Sequence, residues 1–171
     1  MFKPRPHYLL FFVTIMIQIF IINQLSFTTL CMPIIYPIVI ILYPMQSDQL
    51  KMLMVGFITG VCADLLMGVP GINTITLLLM SYIRIWILTI TMGRDAIAAG
   101  GVSTALRFGF RKYLLYTTLF VTLSNTIFFL LESLDSVEWL ILLERIVVST
   151  AVTLLFVWLI TLLFSYITRD R

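Results

Sequence analysis

The chain has 171 residues, of which 61% are hydrophobic and only 11% charged, whereas about a quarter of the residues in an ordinary soluble domain are charged. This composition indicates an integral membrane protein and leaves no room for a separate soluble domain. The formal net charge of +3 comes from basic residues near the ends of apolar segments, where membrane topology accounts for them, so we expect no nucleic-acid binding.

Six apolar segments predict an all-α membrane protein with six transmembrane helices in one bundle, forming a single domain over residues 1–171. A spanning helix needs about 20 mostly apolar residues, because the hydrocarbon core is about 30 Å thick. The N-terminal segment shows no signal-peptidase cleavage pattern, so we expect it to be a retained first helix. The predicted spans cover about residues 8–22, 28–45, 50–67, 72–92, 113–131 and 139–166.

Prolines and glycines mark the second span and the turn after the third. Pro33 can open a helix, whereas Pro37 removes a backbone hydrogen bond and is expected to bend the second span. Only residues 68–71 separate the third span from the fourth. Such a short turn predicts that these two helices are antiparallel neighbours.

Lysine and arginine are distributed unequally between the two sides of the predicted bundle. With both termini in the cytoplasm, nine of the eleven basic residues fall in inside segments and none in an outside loop, as the positive-inside rule requires. The other two, Arg84 and Arg145, lie within predicted spans. The nine are Lys3, Arg5, Lys51, Arg94, Arg107, Arg111, Lys112, Arg169 and Arg171.

Small residues recur every fourth position along the third span, at Gly56, Gly60 and Gly68, with Asp64 in the same register. This spacing places the four residues on one face of a helix. Small residues let a second helix approach closely in lipid. We therefore expect a tight contact with another helix of this chain, with contact to another protein as the alternative.

Asp64 places a carboxylate inside an apolar span, about 4 to 5 Å below its outer end. Arg84 would be about 13 Å away along the axis of the fourth helix, so we reject it as a partner. We expect it to turn toward the cytoplasmic interface as an anchor. Arg145 is the expected partner, within an outer-leaflet polar cluster of Asp64, Glu132, Glu144 and Arg145.

Two other candidate contact surfaces are a basic-aromatic loop before the fifth span and an apolar ridge on the first helix. The cytoplasmic basic-aromatic loop is expected to anchor the chain at lipid headgroups, with a docking surface as the alternative. It contains Arg107, Phe108, Phe110, Arg111 and Lys112. A ridge on the first helix is expected to face lipid or a partner, and consists of Phe11, Phe12 and Ile15.

The residues that catalysis or metal binding needs are scarce. His7 is the one histidine in the sequence, and Cys31 and Cys62 are the only cysteines. Histidine-based triads, two-histidine metal sites and a zinc site are therefore not expected. The sequence contains no Gly-rich phosphate loop or nucleophile elbow, so we expect neither a cofactor nor enzymatic activity.

The chain resembles the rod shape-determining protein MreD family, in the version found in Bacteroidetes-type members. The most specific similarity is the pattern G-x3-G-x3-D-L-x2-G-x-P-G. The end of the fifth span in FFLLE at Glu132, the stretch ERIVVSTAVTLLF and the basic C-terminus are similar as well. The family pattern falls on Gly56, Gly60, Asp64, Gly68, Pro70 and Gly71.

This resemblance implies a noncatalytic scaffold or regulator of the cell-elongation complex in the bacterial inner membrane. It implies contact with the transmembrane helix of MreC and, through MreC, association with MreB, RodA and a class B penicillin-binding transpeptidase. It also implies a fold similar to the six-helix substrate-binding subunits of energy-coupling-factor transporters.

A substrate-binding subunit of a vitamin-type transporter is therefore the alternative function. The first helix argues modestly against it, since it lacks the small-residue A-x-x-x-A spacing of such subunits. A carrier that couples to ions or protons through Asp64 or Glu132 fits less well, because these acids lie on the outer side and away from the midplane.

Overall fold

The computed structural model describes residues 33–45, 47–68, 71–98, 109–134 and 139–169. Within these ranges the chain forms helices and short connections, and no strand. The helices are α1 (Ile38–Ile41), α2 (Gln49–Met67), α3 (Ile72–Met92), α4 (Arg94–Ala98), α5 (Phe110–Glu132) and α6 (Trp139–Arg169).

Four of these helices, α2, α3, α5 and α6, are long and apolar enough to cross a membrane. The prediction of an all-helical membrane protein is confirmed to this extent. The first predicted span, 8–22, lies outside the described residues, as does its ridge. The count of six spanning helices and the likeness to transporter subunits therefore stay predictions.

Hydrogen bonds connect neighbouring spanning helices. Arg84, in the second half of α3, bonds to Tyr116 in the first half of α5. The start of α5 then meets the far part of α6, where the hydroxyls of Tyr113 and Thr161 are 2.6 Å apart. Further along α5, the side-chain amide of Asn125 donates to Thr150 at 3.1 Å. The helices α5 and α6 thus run in opposite directions.

Residues 33–45, here called the inner segment, differ from the prediction. A spanning helix was predicted over 28–45, but in the described part only Ile38–Ile41 is helical. Pro37 is the N-cap of this short helix, because its ring presets a helical φ while its nitrogen donates no hydrogen bond. The segment is almost wholly enclosed, and Ile35, Ile38 and Ile40 are fully buried.

An irregular backbone at membrane depth is tolerated only where protein or water surrounds it, because its polar groups need partners. The inner segment obtains these partners from two spanning helices. The backbone nitrogen of Ile34 donates to Thr153 of α6 at 3.1 Å, and the Tyr36 hydroxyl donates to Asn73 of α3. The inner segment therefore bridges α3 and α6.

Candidate functional site

The glycine stripe on α2 packs against α3 of the same chain. A β-carbon on Gly60 would lie 2.5 Å from the Cα of Thr74, and one on Gly56 would overlap Ser81 Oγ. The predicted contact between two helices of this chain is therefore confirmed at Gly56 and Gly60. Because the stripe is occupied internally, it is not available to a partner.

The two glycines of the turn have a different role. Gly68 ends α2 with φ 67°, and its backbone nitrogen donates to the carbonyl of Asp64. Gly71 precedes α3 with φ 77°. Both lie in the left-handed region, which a residue with a β-carbon adopts at a cost. Pro70, between them, lies outside the described residues.

Asp64 caps the start of α3. Its Oδ1 accepts a hydrogen bond from the backbone nitrogen of Asn73 at 2.9 Å, and its Oδ2 accepts one from Thr74 at 3.0 Å. The Thr74 hydroxyl also donates to Oδ2. The first backbone N–H groups of a helix lack partners within it, and negative charge is favourable there. The carboxylate therefore fastens the end of α2 to the start of α3.

The predicted pairing of Asp64 with Arg145 is wrong. Arg145 instead forms an ion pair with Glu132, at 3.2 Å between Nη2 and Oε2, and its guanidinium lies 5.1 Å from the centre of the Phe129 ring. Glu144 is exposed on α6, and among the described residues no ion pair joins it to Arg145. The predicted cluster therefore divides, because α2 packs on α3 whereas Arg145 faces α5.

Arg84 is buried and only 3% exposed, so the prediction that it turns outward as an interfacial anchor is wrong. Its guanidinium donates to the backbone carbonyls of Tyr43 and Pro44 at the end of the inner segment, the latter at 3.4 Å. Its Nε donates to the hydroxyl of Tyr116 at 3.3 Å. Tyr43 and Pro44 lie in the connection between α1 and α2, so their carbonyls are outside a helix and can accept hydrogen bonds from a side chain.

A continuous set of contacts links these features. Asn73 donates its backbone N–H to Asp64, while its side-chain oxygen accepts from Tyr36. Asn73 is fully buried. Asp64, Asn73 and Tyr36 thus connect the turn between α2 and α3 to the inner segment. Among the described residues, no group of three His, Cys, Asp or Glu side chains could hold a metal ion.

Part of the basic-aromatic loop begins α5. Phe110, Arg111 and Lys112 are exposed there, whereas Arg107 and Phe108 lie outside the described residues. The Phe110 ring makes an edge contact with Trp158 of α6, with ring centres 5.1 Å apart and planes at 74°. This aromatic contact was not anticipated, because Trp158 is 48 residues further along the chain.

An open groove lies along α2 and α3. Its volume is about 250 Å³ and its lining is wholly apolar. This surface, here called the hairpin groove, was also missed by the sequence interpretation, in which the glycine stripe was the leading contact surface. The groove is lined by Leu50, Leu53, Met54, Phe57, Ile58 and Leu78.

Comparison with protein-family models, curated proteins and solved structures finds no match to this chain. The resemblance of the Gly56–Gly71 element to the MreD family therefore stays a prediction from the sequence. What the structure adds is a physical role for that element, a capped and tightly packed pair of antiparallel helices.

Proposed function

We propose that this chain is a noncatalytic membrane subunit that holds the transmembrane helix of a partner protein. From the resemblance to MreD, the partner is MreC and the assembly is the bacterial cell-elongation complex with MreB, RodA and a class B penicillin-binding transpeptidase. The protein would lie in the inner membrane with both termini in the cytoplasm. It would control cell shape and peptidoglycan synthesis by biasing how this complex assembles.

The observation that carries this proposal is the hairpin groove. Its apolar lining suits a ridge of side chains from a helix already in the membrane, and Met54 can adapt to different shapes. The walls are firm, because the contact of Gly60 with Thr74 and the Asp64 cap fix α2 against α3. A rigid, apolar groove is what a scaffold needs in order to hold a helix at low cost in entropy.

The charged groups within the spans support the same function. Asp64 binds backbone N–H groups, Arg84 binds backbone carbonyls and Arg145 pairs with Glu132. Each therefore already has a partner within the protein. Charges so engaged are suited to fixing helix positions, whereas transport of an ion or proton needs groups that can change partners.

A substrate-binding subunit is the second candidate, and the inner segment is the observation that favours it. Broken helices at membrane depth line the binding sites of many transporters. Here, however, the carbonyls of Tyr43 and Pro44 accept hydrogen bonds from Arg84. These carbonyls thus already have a donor within the protein, which is why we place this candidate second.

Site-directed photo-crosslinking in the native membrane tests the proposal. A photoreactive amino acid at Phe57, inside the groove, should crosslink to MreC, identified by mass spectrometry of the adduct. The matched control is Leu155 on α6, which is similarly exposed, at 59% against 50% for Phe57. It should give no MreC adduct.

Three outcomes would overturn the scaffold function or its proposed surface. Copurification of an ATPase pair with a transmembrane coupling subunit, in place of MreC, would support the transporter alternative. Equal MreC adducts from Phe57 and Leu155 would show that the groove is not the contact surface. Lipid adducts alone at Phe57 would mean that the groove only faces the bilayer.

A further inference from the structure

We propose that the start of α5 and the adjoining part of α6 bind the headgroups of anionic phospholipids in preference to zwitterionic ones. The surface, here called the basic-aromatic patch, consists of Phe110, Arg111, Lys112 and Trp158. It lies at the end of the molecule where α5 begins. The proposal does not depend on the identity of any protein partner.

The described basic side chains differ in exposure and in their acidic neighbours. Arg94 is exposed, with the acidic Asp95 directly after it. Lys51 forms an ion pair with Asp48 at 2.7 Å, and Arg145 forms one with Glu132. Arg84 is buried against backbone carbonyls. Arg111 and Lys112 are exposed neighbours, and among the described residues no carboxylate pairs with either. Two successive cations without an acidic partner are thus exposed at the start of α5.

The second argument is the position of these cations along the helix. Arg111 and Lys112 lie in the first turn of α5, whose described first turn contains no acidic residue. The helix from Phe110 to Glu132 is long enough to cross the membrane. Its first turn therefore lies at one boundary of the bilayer, at the depth of lipid phosphates. Basic side chains there attract anionic lipid at the leaflet surface.

The third argument is the aromatic contact. Phe110 is 53% exposed, yet its ring is held by the edge contact with Trp158. Aromatic side chains are favoured at the level of the headgroups. The ring pair thus places an apolar surface in the same helical turn as the two cations, where the glycerol end of a lipid can rest. Charge and aromatic contact thus specify the same ligand, a phospholipid with a net negative headgroup.

Tryptophan fluorescence tests the proposal in the full-length protein reconstituted into vesicles. Replacing the exposed Trp86 and Trp139 by phenylalanine leaves Trp158 as the reporter. Quenching is measured with phosphatidylglycerol or phosphatidylcholine brominated close to the headgroup. We expect phosphatidylglycerol to bind at Trp158 at least about fivefold more strongly, the order expected from one or two basic side chains near an anionic surface.

The substitutions separate this patch from a general effect of charge. Arg111→Gln with Lys112→Gln should bring the ratio of the two binding constants close to one. Lys51→Gln is the matched control, because it removes an exposed cation that already has an acidic partner, and it should leave the ratio unchanged. High salt should lower the wild-type ratio, since it screens exposed charges.

A second reporter locates the effect. A protein that retains only Trp139, at the other end of the span, should show no preference for phosphatidylglycerol. Equal constants for the two lipids at Trp158 would overturn the proposal. So would a preference that survives the double substitution, or one that is equally strong at Trp139.

Discussion

Two regions each contact a charged side chain of a spanning helix, and the two charges have opposite sign. One is the turn between α2 and α3, and the other is the inner segment. At the turn, the carboxylate of Asp64 accepts hydrogen bonds from backbone N–H groups at the start of a helix. At the end of the inner segment, the guanidinium of Arg84 donates to backbone carbonyls. In both places the partner of a charge within a span is the peptide backbone.

The two regions differ in how far along the chain the charge reaches. Asp64 contacts residues nine and ten positions later, so its bonds tie two successive helices together. Arg84 contacts residues about 40 positions earlier and is almost wholly buried. The comparison teaches that Asp64 stabilises a local unit, whereas Arg84 holds distant parts of the chain in place.

Removing Arg84 should therefore have the largest effect. We expect Arg84→Met to lower the free energy of unfolding in detergent by about 3 kcal/mol, since it removes the charge-assisted hydrogen bonds to the Tyr43 and Pro44 carbonyls and puts an apolar side chain in their place. Arg84→Lys should cost less, because the ammonium can still reach one carbonyl. Ile85→Met, at an adjacent and more exposed position, is the control and should change little. Wild-type stability of Arg84→Met would show that these hydrogen bonds contribute nothing.

Alanine substitutions at Gly56 and Gly60 test how closely α2 must pack against α3. Gly60→Ala should cost about 2 kcal/mol, because its β-carbon meets the backbone of Thr74 and the helices must separate. Gly56→Ala meets mainly the Ser81 hydroxyl, so adding Ser81→Ala should recover part of its loss. The same addition should not rescue Gly60→Ala. Unfolding midpoints of the four variants in one detergent provide the measurement.

Loss of the Asp64 cap should be smaller. We expect Asp64→Ala to cost about 1 to 2 kcal/mol, the usual range for removing a helix cap. Asp64→Asn keeps one acceptor oxygen and should cost less. The exposed Leu65→Ala, next to it on α2, is the control for the loss of side-chain contacts. An Asp64→Ala variant as stable as the wild type would contradict the capping role.

Double-mutant cycles test which carboxylate interacts with Arg145. The Glu132→Gln and Arg145→Gln substitutions should be coupled by about 0.2 to 1 kcal/mol, the range for partly exposed ion pairs. Asp64→Ala and Arg145→Gln should instead be additive, since they share no contact in the structure. The charge swap Asp64→Arg with Arg145→Asp should likewise recover none of the abundance lost in the single variants. Recovered abundance in the charge-swap variant would instead support the predicted pairing of Asp64 with Arg145.

The smallest effect should come from the exposed ion pair of Asp48 and Lys51 at the start of α2. The Lys51 ammonium, by its hydrogen bond and charge, holds the pKa of Asp48 below its usual value. A lowered pKa in the folded state contributes stability above the unfolded pKa of about 3.9, and this is lost as the pH falls through the folded value. Wild type should thus exceed Asp48→Asn slightly in unfolding midpoint at neutral pH. The difference between the two unfolding midpoints should disappear in acid. A difference that grows as the pH falls would contradict a stabilising role for the ion pair.

Much of the helical pattern could be predicted from the sequence. The fourth predicted span, 72–92, coincides with α3, and the predicted third span begins one residue after α2 does. These bounds depend on local apolar runs and on the glycines of the turn. The helix α5 starts at Phe110, three residues before the predicted fifth span. The charged side chains of Arg111 and Lys112 lower the hydropathy of its first turn, so an apolar run does not include it.

The candidate site was harder to predict, for a physical reason. Helical rise gives the depth of a side chain but not the direction in which it points around the bundle. Asp64 and Arg145 were therefore paired by depth, although their helices pack against different neighbours. Sequence patterns also pair a charge only with another side chain. The prediction therefore missed the backbone groups that Asp64 and Arg84 bind.

The sequence by itself determined a helical membrane protein, most of the bounds of its spanning helices and the antiparallel pair around the turn. These follow from local composition, since lipid requires each spanning segment to satisfy its own backbone. Only the tertiary structure decided that the inner segment is enclosed and largely not helical, and that Asp64 and Arg84 bind backbone groups. Those outcomes depend on which helices lie side by side, and residues distant in the sequence set that arrangement jointly.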